Sequence, residues 1–193
     1  MAKTKHQIRS EETYNKFMKT LIEMLNEEDI DKITIREICS RVGLSPRSFY
    51  LYFPSKEAAI LKCYIYSNNN QLFQDTSLPS DPYERLLMIF LKHHQLALEA
   101  PKLARAIYIC KLTTYDEQLY SDSVPIYKLV EEAVLQCQRD HIIKKDLIAR
   151  DVTWDLITFS RGIQMDYFSR GESYDLLDVG MEKLKRYLTI FTV

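Results

Sequence analysis

Residues 33–56 read ITIREICSRVGLSPRSFYLYFPSK, and the stretch marks its own structural boundaries. Thr34 and Glu37 have the spacing of a capping box, which opens a short helix. Ile35, Ile38, Cys39 and Val42 give that helix one apolar side. Gly43 supplies the left-handed backbone that stops it. Ser45 caps a second helix with Pro46 at its first position, where a missing N–H costs nothing. Pro54 ends this helix, and Ser55 caps the next, which runs through Ala58, Ala59, Cys63 and Tyr64.

Two short helices joined by Gly43-Leu44-Ser45 have helix-turn-helix proportions. In such a pair the first helix braces on the DNA backbone and the second enters the major groove. Arg47 and Ser48 supply the outward chemistry, and Phe49 is the inward anchor. The charge pattern agrees. Lys32, Arg36, Arg41, Arg47 and Lys56 share their stretch with a single acid, Glu37, whereas residues 57–193 hold 16 basic and 19 acidic side chains. A chain of net charge −1 with one basic patch can bind nucleic acid at that patch and stay soluble elsewhere.

The rest of the 193 residues, 46% apolar with only four glycines and six prolines, favours long helices over strands and turns. Met1 to Ser10, with Lys3, Lys5, His6 and Arg9, reads as a flexible arm. Ser10 then caps a helix whose apolar face is Tyr14, Phe17, Met18, Leu21, Ile22 and Leu25. The polar run Asn26 to Lys32 ends it, and Asn68 to Ser80 reads as a loop. Asp81, Pro82 and Glu84 open a helix through Leu86, Leu87, Phe90, Leu91 and His94. Pro101 and Pro125 divide the centre into shorter helices. A long helix is expected over Leu147–Ser169, and a last one over Tyr174–Thr192. There is no internal repeat. The expected fold is all-α, with about nine helices. An N-terminal three-helix helix-turn-helix head, residues 1–56, precedes a larger helical body, residues 57–193.

Several classes find no support. Cys39, Cys63, Cys110 and Cys137 sit in apolar helical runs and read as reduced, buried thiols. No signal region and no 18-residue apolar run is present, so a cytoplasmic protein with no membrane partner is expected. No Ser/His/Asp order, glycine-rich phosphate loop or carboxylate cluster suggests an enzyme. His6, His93, His94 and His141 complete no ligand set, so neither metal nor cofactor is expected.

The stretch from Thr34 to Cys39, followed by Val42-Gly-Leu-Ser-Pro-Arg-Ser-Phe-Tyr-Leu-Tyr-Phe-Pro-Ser-Lys56-Glu57, resembles the signature of TetR-type transcriptional regulators. The resemblance covers about the first third of the chain and implies a DNA-binding role for each matching position. Thr34 caps its helix and touches a phosphate, and Arg36 reads a base edge. Ser45, Pro46, Arg47 and Ser48 open the recognition helix. Tyr50 and Tyr52 bond phosphates through their hydroxyls, Leu51 meets a thymine methyl, and Lys56 binds a phosphate. The chain departs from the pattern at Glu28-Asp29-Ile30-Asp31, where many members carry a glycine, and at Arg47, where many carry a smaller side chain.

Leu177, Met181, Leu184, Leu188 and Phe191 form a heptad-like stripe, and Leu156, Phe159, Ile163 and Tyr167 offer another. By themselves the stripes fit either a dimer contact or a core within one chain. The resemblance implies a homodimer through the last two helices, with heads about 34 Å apart on a palindromic operator in double-stranded DNA. It also implies a repressor released by a small hydrophobic or aromatic ligand that enters the body. Phe90, His93, His94, Tyr108, Tyr115, Tyr127, Trp154 and Phe159 could line a pocket, but at helical spacing such residues are more often plain core. The alternative is an activator, or an architectural or division protein, with the same fold and no inducer.

Overall fold

The computed structural model describes residues 4–71 and 78–193. Among the described residues the chain forms nine α-helices and no strand: α1 Lys5–Glu27, α2 Ile35–Val42, α3 Pro46–Tyr50, α4 Lys56–Gln71, α5 Pro82–Glu99, α6 Pro101–Thr113, α7 Pro125–Arg139, α8 Ala149–Ser169 and α9 Val179–Leu188. None of these helices is long and apolar enough to cross a membrane. The helices form two compact units, Met1–Ser67 with Ala100–Leu119, and Asn68–Glu99 with Tyr120–Val193.

In the first unit, α1 packs on α2 and α6, and α2 packs on α3. Its apolar centre includes Phe17, Met18, Leu21, Ile38, Val42, Phe49, Phe53, Ile60 and Ala106, each at most 1% exposed. The helix-end signals of residues 33–56 are found, the Thr34–Glu37 capping box in its Thr34 half only. Thr34 Oγ1 accepts the Glu37 N–H, Ser45 Oγ accepts the Ser48 N–H, and Gly43 takes φ 74°. Ser55 Oγ accepts the Ala58 N–H at 3.1 Å and opens α4.

The N-terminal arm is a correction. From Lys5 onward it is helical, because Thr4 and Gln7 form a complete capping box: Gln7 N–H donates to Thr4 Oγ1, and Thr4 N–H to Gln7 Oε1. Ser10 therefore lies inside α1 rather than at its start. In the loop expected over Asn68–Ser80, the backbone through Gln71 completes α4, and residues 72–77 lie outside the described residues.

In the second unit, α5, α7, α8 and α9 pack around Phe90, Tyr127, Val130, Leu156, Ile157, Leu184 and Leu188, each 0% exposed. Asp81 Oδ1 accepts the Glu84 N–H at the start of α5, and Pro101 and Pro125 begin helices rather than interrupt them. The last helix is shorter than expected. At its start the Asp175 carboxylate takes the N–H groups of Leu177 and Asp178, at 2.8 and 3.0 Å. That turn competes with helix. At its end the chain bridges Ile143 to Thr192, with the Lys144 N–H donating to the Phe191 carbonyl.

Candidate nucleic-acid interface

The helix-turn-helix face is built on an aromatic cluster. Phe49 and Phe53 are one helical turn apart and point inward together. Phe17 of α1 meets Phe49 edge-on at 5.6 Å and Phe53 edge-on at 5.9 Å. Tyr14 adds a further ring 5.6 Å from Phe53, and its burial pushes its phenol up to about 12, so it stays neutral. Edge-to-face pairs of this kind contribute about 1 kcal/mol each beyond the area they bury. The short α3 has only five residues, too few to hold itself in water. The cluster fixes it from behind.

With Phe49 buried, helical geometry turns Arg47, Tyr50 and Leu51 to the other side. All three are exposed, Tyr50 by 56% and Leu51 by 79%. Both side chains are therefore available for a contact outside the first unit. Ser45 and Pro46 are exposed at the start of the same helix, and the Ser45 and Ser48 hydroxyls lie 3.0 Å apart in the cap. Thr34 and Arg36 are exposed at the start of α2. The structure thus places Ser45, Pro46, Arg47, Ser48, Tyr50 and Leu51 together on one short element.

Two expected contacts have internal partners. Tyr52 is half-buried against Phe17, and its hydroxyl accepts from Ser10 Oγ at 3.4 Å. Lys56 is half-buried too. Its ammonium donates to the carbonyls of Ile30 and Ile33, at 2.8 and 2.9 Å. It therefore ties the α1–α2 link to the start of α4, with one N–H left over. A second lysine tie escaped the sequence reading: Lys16 Nζ donates to the Val42 carbonyl at 2.7 Å, just before the turn. No local spacing announces a lysine that caps a carbonyl 26 residues away.

The residues expected at a dimer contact lie elsewhere, in the second unit. Leu156, Ile163, Tyr167, Met181, Leu184 and Leu188 are all less than 9% exposed within the single chain, so they have almost no area left for a partner. Only Phe159 and Leu177 keep appreciable surface. The periodicity identified a packed face, and the chain's own helices occupy it. Phe191 is likewise buried, beside the terminal bridge.

The aromatic and histidine set is divided between the two units. Tyr108 and Tyr115 belong to the first unit and the others to the second. His94 Nε2 lies 3.0 Å from Ser160 Oγ, and His93 Nδ1 lies 3.1 Å from Gln164 Nε2. All four are buried. Trp154 packs on Tyr127 at 4.7 Å. All four cysteines are free and buried. Among the described residues no group of three or more potential ligands could hold a metal ion.

Residues 18–62 match the family described as bacterial regulatory proteins, tetR family. The chain is 26% identical over 132 residues to an HTH-type transcriptional regulator of Bacillus subtilis, YwcC. That alignment covers 68% of this chain and 58% of the relative, so the chain spans little more than half of the relative's length. Its fold is similar to a TetR transcriptional regulator from Rhodococcus, with TM-score 0.65 and 13% identity, covering 92% of this chain and 95% of the other. It is also similar to FadR of Bacillus subtilis, solved in complex with stearoyl-CoA, with TM-score 0.62 and 16% identity, covering 89% and 96%.

Proposed function

We propose that this chain, whose residues 18–62 match the tetR family of bacterial regulatory proteins, is a sequence-specific, homodimeric repressor. The observation that carries the reading is the α3 face. Arg47, Tyr50 and Leu51 are exposed on a helix clamped from behind by Phe17, Phe49 and Phe53. An exposed Arg can read a guanine edge and an exposed Leu a thymine methyl. Thr34, Tyr50, Tyr52 and the spare N–H of Lys56 position the head on phosphates, and Arg36, Arg47 and Ser48 specify the sequence.

A palindromic operator calls for two heads, hence a dimer. The outward side of α8, with α9 and the turn that follows it, supports one. Met165 is 41% and Ile190 58% exposed, and Phe159 stacks on Tyr187 at 4.0 Å while both keep some surface. Gly162 lies exposed within the same α8. The interface we propose runs along these residues rather than along the buried stripe.

We further propose release by a small hydrophobic ligand bound in the body. Support comes from the fold's similarity to FadR, which was solved with stearoyl-CoA. Ligand would favour a head spacing that no longer fits the operator.

The test is selection of bound duplexes from a random pool, followed by gel shift. The expected result is a palindromic consensus that survives competitor DNA at moderate salt. Indifference to sequence would sink the reading. Addition of a long-chain acyl-CoA to the selected complex then tests release.

A further inference from the structure

We propose that Lys16 of α1 is a positioning residue for sequence readout: it holds the turn between α2 and α3 so that Arg47 meets its base, and it touches no DNA itself. The inference rests on the DNA-binding reading above and adds the residue that sets the front end of the recognition helix.

The end of α2 shows why the turn needs a hold. Gly43 takes φ 74° and closes the helix. The Leu44 N–H donates to the Cys39 carbonyl at 2.9 Å, and the Gly43 N–H to the Ser40 carbonyl at 3.1 Å. A helix leaves its final carbonyls without a donor of its own. The last of them here, that of Val42, takes the Lys16 ammonium at 2.7 Å. A cation at that point also meets the negative end of the helix dipole.

Beyond Val42 the chain has no buried anchor until Phe49. Val42 is 1% and Phe49 0% exposed, whereas Gly43, Leu44, Ser45, Pro46 and Arg47 are all exposed. The Ser45 cap lies inside that span and ties it to nothing behind. The base-reading end of α3 is therefore fixed from its two flanks. At one flank Phe17 meets Phe49 edge-on at 5.6 Å. At the other Lys16 holds Val42. Lys16 and Phe17 are neighbours in α1, so one short stretch of that helix grips the reading segment from both sides.

Removing the ammonium frees the end of α2 and the turn after it, and Arg47 rides on that turn. A guanidinium that reads a base edge with two N–H groups depends on tight placement. Contacts that only position the head on phosphates tolerate a small shift. The loss therefore falls on the preferred sequence. The Lys56 bonds differ, because they act on the link before α2.

The experiment measures gel shifts across a salt series on two duplexes, one selected from a random pool and one of random sequence. Lys16→Met is expected to lower the selected-to-random affinity ratio by about tenfold, the size of one badly met base pair. Affinity for the random duplex and its salt slope stay at the wild-type values. Lys16→Arg, which keeps a charged donor of sufficient reach, restores the ratio. Lys19→Met removes the same charge from an exposed position three residues along α1 and leaves the ratio unchanged. Lys16→Gln is read in the same way where Lys16→Met unfolds. An unchanged ratio in the Lys16 variants, an equal loss on both duplexes, or a matching fall for Lys19→Met overturns the inference. So does a salt slope lower by about 0.9, which is the mark of a lost phosphate contact. Each of these leaves the DNA-binding reading intact, whereas a folded wild-type chain with no preference for any duplex overturns both.

Discussion

The ammonium of Lys56 donates to the carbonyl of Ile33 at 2.9 Å, and the same nitrogen reaches Ile30. One side chain at the start of α4 thus satisfies two carbonyls in the link before α2. Hydrogen bonds to a charged donor contribute about 1.5–3 kcal/mol when shielded, and less here because Lys56 is only half-buried. Lys56→Met should therefore destabilise the head by about 1–2 kcal/mol, read by denaturant unfolding. DNA affinity should fall equally on every sequence. Unchanged stability with a reduced salt slope would show that the lysine serves phosphate alone.

Arg47 and Tyr50 should separate specification from positioning. Arg47→Ala should relax preference at one base position of the half-site, a loss of about 1–3 kcal/mol on the selected operator and little on random DNA. Tyr50→Phe removes one hydroxyl from an exposed ring. It should weaken both duplexes alike. Gel shifts on matched and mismatched duplexes check the pair, and equal losses from Arg47→Ala on all sequences would contradict its role.

The legible parts of this chain were the local ones. Thr34, Gly43, Ser45 and Pro46 announce helix ends through bonds made within four residues, and each sits where its chemistry puts it. The start of α1 was equally local. Thr4 and Gln7 have capping-box spacing, but Lys3, Lys5 and His6 around them give the same stretch the composition of a flexible arm. The ties of Lys16 and Lys56 were not legible, because their acceptors are backbone carbonyls 23–26 residues away and any residue type carries a carbonyl. The stripe through Leu177, Met181, Leu184 and Leu188 shows a further limit. Periodicity identifies a face to be covered, not what covers it. Here α5 and α8 pack against α9 within the single chain.

His94 gives the body a dependence on acid. The side chain is 0% exposed, and burial pulls its imidazole from the usual 6.5 down to about 4, against a smaller opposing pull from a hydrogen bond with the Leu176 backbone. Between those values the unfolded chain takes up a proton that the folded chain refuses. Stability therefore falls as pH drops from 6.5 toward 4, by on the order of 3 kcal/mol over the full window. His94→Gln keeps a partner for Ser160 and removes the titration. Denaturant unfolding at pH 7 and pH 4.5 should show a smaller difference for the variant than for the wild-type chain. Equal differences would place the acid sensitivity elsewhere.

Gly162 tests the dimer. It lies within α8, exposed, and a Cβ built there meets no atom within 4 Å. An exposed glycine in a helix interior costs about 1 kcal/mol against alanine, and nothing within the chain demands it. Gly162→Ala should therefore raise the stability of the isolated protomer by about that amount. If two copies meet along Met165 and Ile190, the added methyl group stands where the partner helix makes its nearest approach. Sedimentation should then show weaker self-association even as thermal unfolding at low concentration shifts upward. A gain in stability with self-association unchanged would move the contact off this face. Gly180 in α9 is the internal comparison. A Cβ there would lie 3.1 Å from Leu176 Cδ1 and 3.2 Å from Ile163 Cγ2, so Gly180→Ala must crowd the chain's own core, and its stability should not rise as that of Gly162→Ala does.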